Sequence, residues 1–177
     1  MLKELSSFKK GDCNIGDYFT LKTPTFGEFD MQLSGRIGNK ATFVSVNASE
    51  KKVCITKSKT ADKNELTLNE ALNMFYNEIP ENIREHIVET DKGMVWVPSL
   101  FDVIGDSKMP IFTDDKNRSR IRGLHGRYRG EEWWLETKGR DMNGHYTVDT
   151  DGGIIATERD KRFLSFVPVF TLDCTRL

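Results

Sequence analysis

The chain has 177 residues, of which 37% are hydrophobic and 30% are charged, and its formal net charge is −1. This length is enough for one domain with a buried core, and the near-zero net charge excludes a chain that binds polyanions through its overall charge. The three cysteines, Cys13, Cys54 and Cys174, show no CxxC spacing, so we expect reduced thiols and neither a disulfide framework nor a zinc knuckle.

The N-terminal segment predicts neither export nor membrane insertion. Residues 1–5 contain no extended apolar run and no small-residue cleavage site, so we expect no signal peptide. No run in the chain approaches the roughly 20 apolar residues that a membrane-spanning helix needs. A cytoplasmic location without a membrane partner is therefore expected.

The first third of the chain alternates apolar and polar residues, which is typical of short strands. We predict strands over residues 18–22, 29–37, 41–46 and 53–56, with turn residues between them. These strands would form an N-terminal meander, residues 1–60. We expect the meander to pack on the rest of the protein in one compact unit, because so short a segment would bury too little surface alone.

Helical spacing begins at Thr67. Thr67 and Glu70 have the spacing of a capping box, in which each side chain satisfies a free backbone amide at the helix start. Apolar residues then recur at i, i+3, i+4 and i+7 from Leu68, as on one face of a helix. Pro80 is expected to end this helix and to begin a second, shorter one.

The C-terminal half is predicted to contain more strand than helix. Residues 94–97 are a strand candidate, and Ser99 can cap a third short helix over residues 100–104. Residues 106–130 are polar with few apolar anchors, and a loop of this length inside a compact domain is often functional. Further strands are predicted over residues 132–136, 145–150, 153–157 and 163–172, with Asp151-Gly152 as a tight hairpin turn.

These elements predict an α+β fold in which two or three short helices pack on twisted, mainly antiparallel sheets. Trp133 and Trp134 are neighbours on a predicted strand, so their side chains should point to opposite faces. Burial of both is expected, although an exposed tryptophan would be a good binding anchor. The predicted core contains Leu68, Leu72, Phe75, Ile83, Ile87, Trp96, Leu100, Ile104, Trp134, Tyr146, Val148, Ile155, Phe166 and Phe170.

Several motifs in the second half of the chain resemble one family. They are W-V-P-S-L-F-D-V-I-G at residues 96–105, Trp133-Trp134-Leu135 followed by Gly139, Asp151-Gly152-Gly153, and V-P-V-F-T-L at residues 167–172. Together they resemble the DUF6273 family of bacterial and phage proteins, which has no assigned activity. The resemblance implies a C-type-lectin-like domain over residues 61–177, related to formylglycine-generating enzymes. It also implies a phage- or prophage-encoded protein, located in the host cytoplasm or carried in a phage particle.

The chain departs from that family at two places. Family members carry W-W-L-R-S-P where residues 136–138 read E-T-K, and G-V-R-P-A where residues 165–167 read S-F-V before Pro168. Both expected arginines are absent, so an anion site that they formed does not carry over. The catalytic cysteines of formylglycine-generating enzymes and the calcium-dependent sugar motifs of lectins also have no counterpart here.

Two loops contain the residues that could bind a partner. Residues 116–129 include six basic side chains without an acid between them, and the planar arginine fork suits phosphate and carboxylate groups. In an extended segment, Arg118, Arg120 and Arg122 would share one face. Residues 139–145 add hydrogen-bonding groups to a loop of the kind that carries ligand surfaces. The candidate partner- or anion-binding residues are Lys116, Arg118, Arg120, Arg122, Arg127, Arg129, Arg140, Asn143 and His145.

Simpler interpretations of both loops stay open. The arginines could pair with the chain's own acids, such as Glu131, Glu132 and Asp114, and an ordinary turn would explain residues 139–145. No catalytic set is visible, because the three histidines are isolated and no nucleophile or phosphate-loop motif is present. We therefore expect no catalytic residue, no metal and no cofactor.

The leading hypothesis is a non-catalytic recognition module that binds a protein or glycan partner through residues 106–130 and 139–145. One alternative is an inhibitor of a host defence nuclease, similar to an anti-CRISPR protein, that meets a nucleic acid or nucleoprotein surface with the arginine-rich loop. A second alternative is an enzyme distantly related to the formylglycine-generating enzymes. The sequence leaves the oligomeric state open.

Overall fold

The structure is a computed structural model that describes residues 1–8, 13–58, 62, 64–104, 109–112, 118–121, 130–139, 144–156, 160–175 and 177. Within them the chain is α+β, with mainly antiparallel strands in curled sheets and a few short helices, which confirms that part of the predicted fold class. The strands are β1 (Tyr18–Thr23), β2 (Gly27–Ile37), β3 (Lys40–Ser45), β4 (Arg120–Ile121), β5 (Gly130–Glu131), β6 (Trp133–Lys138), β7 (His145–Val148), β8 (Ile154–Ala156) and β9 (Val169–Asp173). The helices are α1 (Leu68–Glu78), α2 (Glu81–Arg84) and α3 (Leu100–Ile104), and a single 3-10 turn covers Leu5–Phe8.

The main sheet joins the two ends of the chain. Its strand order is β1-β2-β3-β9, and every neighbouring pair is antiparallel. The last strand therefore completes the meander, and the sheet contains strands from both sides of the predicted boundary at residue 60. Two smaller sheets, β4-β5 and β6-β7-β8, are built from the second half of the chain.

Three predicted strands are wrong in extent. Residues 53–56 and 94–97 contribute only isolated bridges, from Val53 to Leu164, from Cys54 to Thr67 and from Trp96 to Val169. The predicted strand over residues 163–172 is divided, and only β9 is continuous. Each of these segments is apolar because it is buried, and a short buried run looks the same in sequence whether or not it pairs along its length.

The turn between β7 and β8 is longer than the predicted two-residue hairpin. The Asp149 amide donates to the Gly153 carbonyl at 2.8 Å, and the Gly152 amide donates to the Asp149 carbonyl at 3.2 Å. Gly152 has φ +92°, as the last loop residue of a three-residue hairpin requires. The Asp149 carboxylate also accepts from the amides of Asp151 and Gly153, at 2.9 and 2.7 Å, and so holds the turn closed.

Both predicted helix caps are confirmed. At α1, the Glu70 amide donates to the Thr67 hydroxyl, while the Glu70 carboxylate accepts from the Thr67 amide. The hydrogen bond from Lys57, together with those from Thr67, lowers the pKa of Glu70 to about 2. At α3, the Asp102 amide donates to Ser99 Oγ at 3.2 Å, and the Asp102 carboxylate accepts from the Ser99 amide at 2.7 Å.

The core formed by the described residues consists of two clusters, and the tryptophan pair divides between them. Trp134 lies in the larger cluster under the main sheet with Phe75, and Trp133 lies in the smaller one with Phe112. Both tryptophans are fully buried, as predicted. Two predicted core residues, Ile104 and Ile155, are exposed. Ile104 is the last residue of α3, and Ile155 lies on β8, an edge strand of its sheet.

Replacing Gly130 with alanine is expected to lower the free energy of unfolding by about 1–3 kcal/mol. An added Cβ would lie 2.0 Å from the Thr150 carbonyl oxygen and 2.5 Å from Ser119 Oγ, and the first of these is backbone that cannot rotate away. Gly35→Ala is the matched control, because nothing lies within 4 Å of its Cβ position. Equal denaturation midpoints for the two variants would contradict this packing.

Candidate functional site

Six of the nine predicted binding residues lie outside the residues that the structure describes: Lys116, Arg122, Arg127, Arg129, Arg140 and Asn143. Their roles stay predictions. The three candidates that the structure describes are Arg118, Arg120 and His145. They do not share one environment, since two of them support the chain's own loops and the third lines a groove.

Arg120 lies in the protein interior and not on a solvent-facing strip. It is 4% exposed, and its Nε donates to the Ser45 carbonyl at 3.0 Å. The guanidinium carbon stands 5.0 Å from the centre of the Phe112 ring. Burial lowers the pKa of Arg120 to about 9, which leaves the side chain charged at neutral pH. In this conformation Arg120 joins β4 to the end of β3, and a partner cannot reach it.

Arg118 stabilises the turn between β7 and β8 with a hydrogen bond. Its Nε donates to the Gly152 carbonyl at 2.9 Å, and its own carbonyl accepts from Trp133 Nε1 at 3.2 Å. Two of the acids considered as possible partners form other ion pairs, Glu131 with Lys52 at 2.9 Å and Glu132 with Arg162 at 2.6 Å, while Asp114 lies outside the described residues. The two described arginines of the predicted set, Arg118 and Arg120, are thus bound, at least in part, by backbone carbonyls of the chain itself.

A groove of about 750 Å³ opens between α1 and the segment that precedes α3. One wall is formed by α1, with both apolar and amide side chains (Leu68, Asn69, Leu72, Asn73 and Tyr76), and the other wall is residues 93–97. Glu136 of β6 and His145 of β7 also line it. Its volume falls in the range of about 300–1,000 Å³ that is usual for ligand pockets.

His145 is held in one orientation at this groove. Asp160 Oδ1 accepts from the His145 backbone amide at 3.0 Å and lies 3.1 Å from the ring Nδ1. Since Nδ1 is occupied by Asp160, the ring nitrogen that remains for a ligand is Nε2. Of the described residues in the predicted set, His145 lines this groove, and Arg118 and Arg120 do not.

The groove carries an excess of negative charge. Lys92 lines it but is 2.6 Å from Asp102. Burial alone would raise the pKa of Asp102, but the hydrogen bonds from Lys92 and Ser99 hold it below its usual value, so this pair is neutral overall. Glu89 and Glu136 are exposed, and neither side chain forms an ion pair or hydrogen bond with any described residue. A ligand would therefore meet two carboxylates that no described residue compensates.

One buried donor near the groove has no partner among the described residues. Trp96 is 7% exposed, its side chain packs in the smaller core cluster, and its indole Nε1 makes no hydrogen bond with the part of the chain that the structure describes. Sequence reasoning assigned Trp96 to the core and did not single out Glu89, Lys92 or Asn73. The signal that was available is the pair Asn69 and Asn73, which places amide groups beside the apolar face of α1.

No protein-family model, no curated protein and no solved structure matches this chain. The resemblance to the DUF6273 family therefore stays a prediction that rests on the motifs at residues 96–105, 133–139, 151–153 and 167–172. No helix among the described residues is long and apolar enough to cross a membrane. The same residues contain no group of three or more histidine, cysteine or acidic side chains arranged to hold a metal ion.

Proposed function

We propose that this protein is a non-catalytic recognition module that binds a protein or glycan partner, and that the groove beside α1 is its main binding surface. The observation that carries the proposal is a groove of about 750 Å³ with an oriented histidine at its wall and two carboxylates, of Glu89 and Glu136, that no described residue pairs. A cavity of this size with a few placed polar groups is typical of a ligand site.

The proposal places the binding surface differently from the sequence-based hypothesis. Residues 139–145 remain part of it through His145, while Arg118 and Arg120 support the scaffold. A C-type-lectin-like arrangement of the C-terminal half belongs to the same proposal, and β6-β7-β8 would form its sheet. So does a bacterial or phage setting, which rests on the family resemblance alone. The nuclease-inhibitor alternative depends on Lys116, Arg122, Arg127 and Arg129, and no described contact favours it.

Replacing Asn73 with tryptophan is expected to block the groove and remove partner binding. Asn73 is exposed on α1 and lines the groove, whereas Asn77 is exposed on the same helix and does not line it. Asn77→Trp is therefore a matched control with the same change of side chain. Each protein would be used to capture partners from a bacterial lysate and on a glycan array, with thermal unfolding as the check on folding.

The expected result is one partner retained by the parent protein and by Asn77→Trp, with at least about tenfold less retained by Asn73→Trp, a difference of about 1.4 kcal/mol in binding free energy. Equal capture by both variants would place the binding surface elsewhere. No specific capture by the parent protein in either assay would remove the proposed function.

A further inference from the structure

We propose that the groove binds an extended, basic peptide segment, which pairs with the backbone of Val97 and brings a lysine or arginine side chain to Glu89 and Glu136. This inference rests on the proposed function, because it names the chemistry of the partner in the same groove. It depends on two independent features of the groove: a backbone edge that no described residue pairs, and the sign of the charge beside it.

The backbone edge arises from how Trp96 meets β9. The Trp96 amide donates to the Val169 carbonyl at 3.0 Å, and the Val169 amide donates to the Trp96 carbonyl at 2.8 Å. In an extended chain, successive residues direct their amide and carbonyl groups to opposite edges. Val97 precedes Pro98, which restricts it to extended conformations. The backbone groups of Val97 are therefore directed away from β9.

Those backbone groups have no partner within the described part of the chain. Val97 is 2% exposed and lines the groove, and neither it nor Val95 makes a backbone or side-chain hydrogen bond there. Buried backbone amides and carbonyls are paired in more than about 90% of cases. An added strand supplies an acceptor and a donor at the right spacing, which is the recurring way in which sheet edges bind extended peptides.

The charge beside this edge selects a basic segment. Glu89 and Glu136 line the groove without ion-pair partners among the described residues, while Lys92 is neutralised by Asp102. Side chains of an extended peptide alternate between two directions, so a basic residue can face the carboxylates while its neighbours contact α1. An acidic segment would be repelled by the same two carboxylates.

The test is a library of short, random linear peptides with blocked termini, screened against the parent protein and the Asn73→Trp and Asn77→Trp variants. We expect binders enriched in lysine and arginine that are retained by Asn77→Trp and lost by Asn73→Trp. Replacing both Glu89 and Glu136 with glutamine should weaken the best binder about tenfold at low salt. The matched control is the same change at Glu4 and Glu81, which are exposed and do not line the groove.

Backbone pairing is tested by methylating the amide nitrogens of the best binder one at a time. Methylation at alternate positions should abolish binding, because only every second amide faces the edge. Binders that tolerate methylation at every position, that are acidic, or that ignore Asn73→Trp would overturn the inference. If no peptide binds while a glycan or a lysate partner is still captured through the groove, the inference is wrong and the proposed function stands. If nothing binds the groove, both the inference and the proposed function are wrong.

Discussion

Replacing Trp134 with alanine is expected to lower the free energy of unfolding by about 3–5 kcal/mol. Trp134 is fully buried in the larger cluster, and its Nε1 donates to the Val53 carbonyl at 2.9 Å. The substitution would leave a cavity the size of an indole and a buried carbonyl without its donor. Because domains of this size are stable by about 5–15 kcal/mol, the variant should be marginally folded or unfolded.

Phe101→Ala provides the control for the tryptophan substitution. Phe101 is 64% exposed on α3, so its loss should change the free energy of unfolding by less than about 0.5 kcal/mol. Urea denaturation followed by circular dichroism would measure both variants. An unchanged urea midpoint for Trp134→Ala would contradict the burial of Trp134 in the larger core cluster.

Arg120→Glu is expected to destabilise the protein by about 3–5 kcal/mol, as buried charges without compensation do. The guanidinium donates to the carbonyls of Ser45 and Ser119, at 3.0 and 3.1 Å, and faces the Phe112 ring. A carboxylate in the same place would face carbonyl oxygens and the negative face of an aromatic ring. Arg120→Glu would therefore replace attractive electrostatic contacts with repulsive ones.

The control for charge reversal is Lys161→Glu, since Lys161 is exposed. Thermal unfolding should show a large loss of stability for Arg120→Glu and almost none for Lys161→Glu. This result bears on any test of the arginine-rich segment: if Arg120 is reversed together with its neighbours, lost binding would reflect lost folding. A stable Arg120→Glu variant that fails to bind a partner would instead indicate that Arg120 belongs to the binding surface.

Elements defined by neighbouring residues could be predicted from the sequence. The capping box at Thr67 and Glu70 and the alternation in β1, β2 and β3 depend on groups a few positions apart, and the structure contains them. The same holds for Trp133 and Trp134, because neighbouring strand residues face opposite ways. Local chemistry decides these features, so a single sequence is enough to find them.

The candidate site could be predicted only in small part. His145 was singled out for its loop, but its role beside Asp160 depends on a contact between segments that are 15 residues apart. Arg120 looked like a surface residue because its neighbours are polar, and it is buried against Ser45, 75 residues earlier in the chain. Glu89 gave no signal, since an isolated acid usually indicates only a solvated surface.

The sequence by itself determined the α+β class, the helix starts and the burial of the tryptophan pair, since capping and periodicity act over a few residues. Only the tertiary structure decided that β9 completes the N-terminal sheet, that Trp96 bridges to that strand, and that no described residue pairs with the Val97 backbone at the groove. Strand partners and cavities depend on contacts between distant segments. Because the packing of the whole chain selects these contacts, they produce no periodic pattern in the sequence of any one segment.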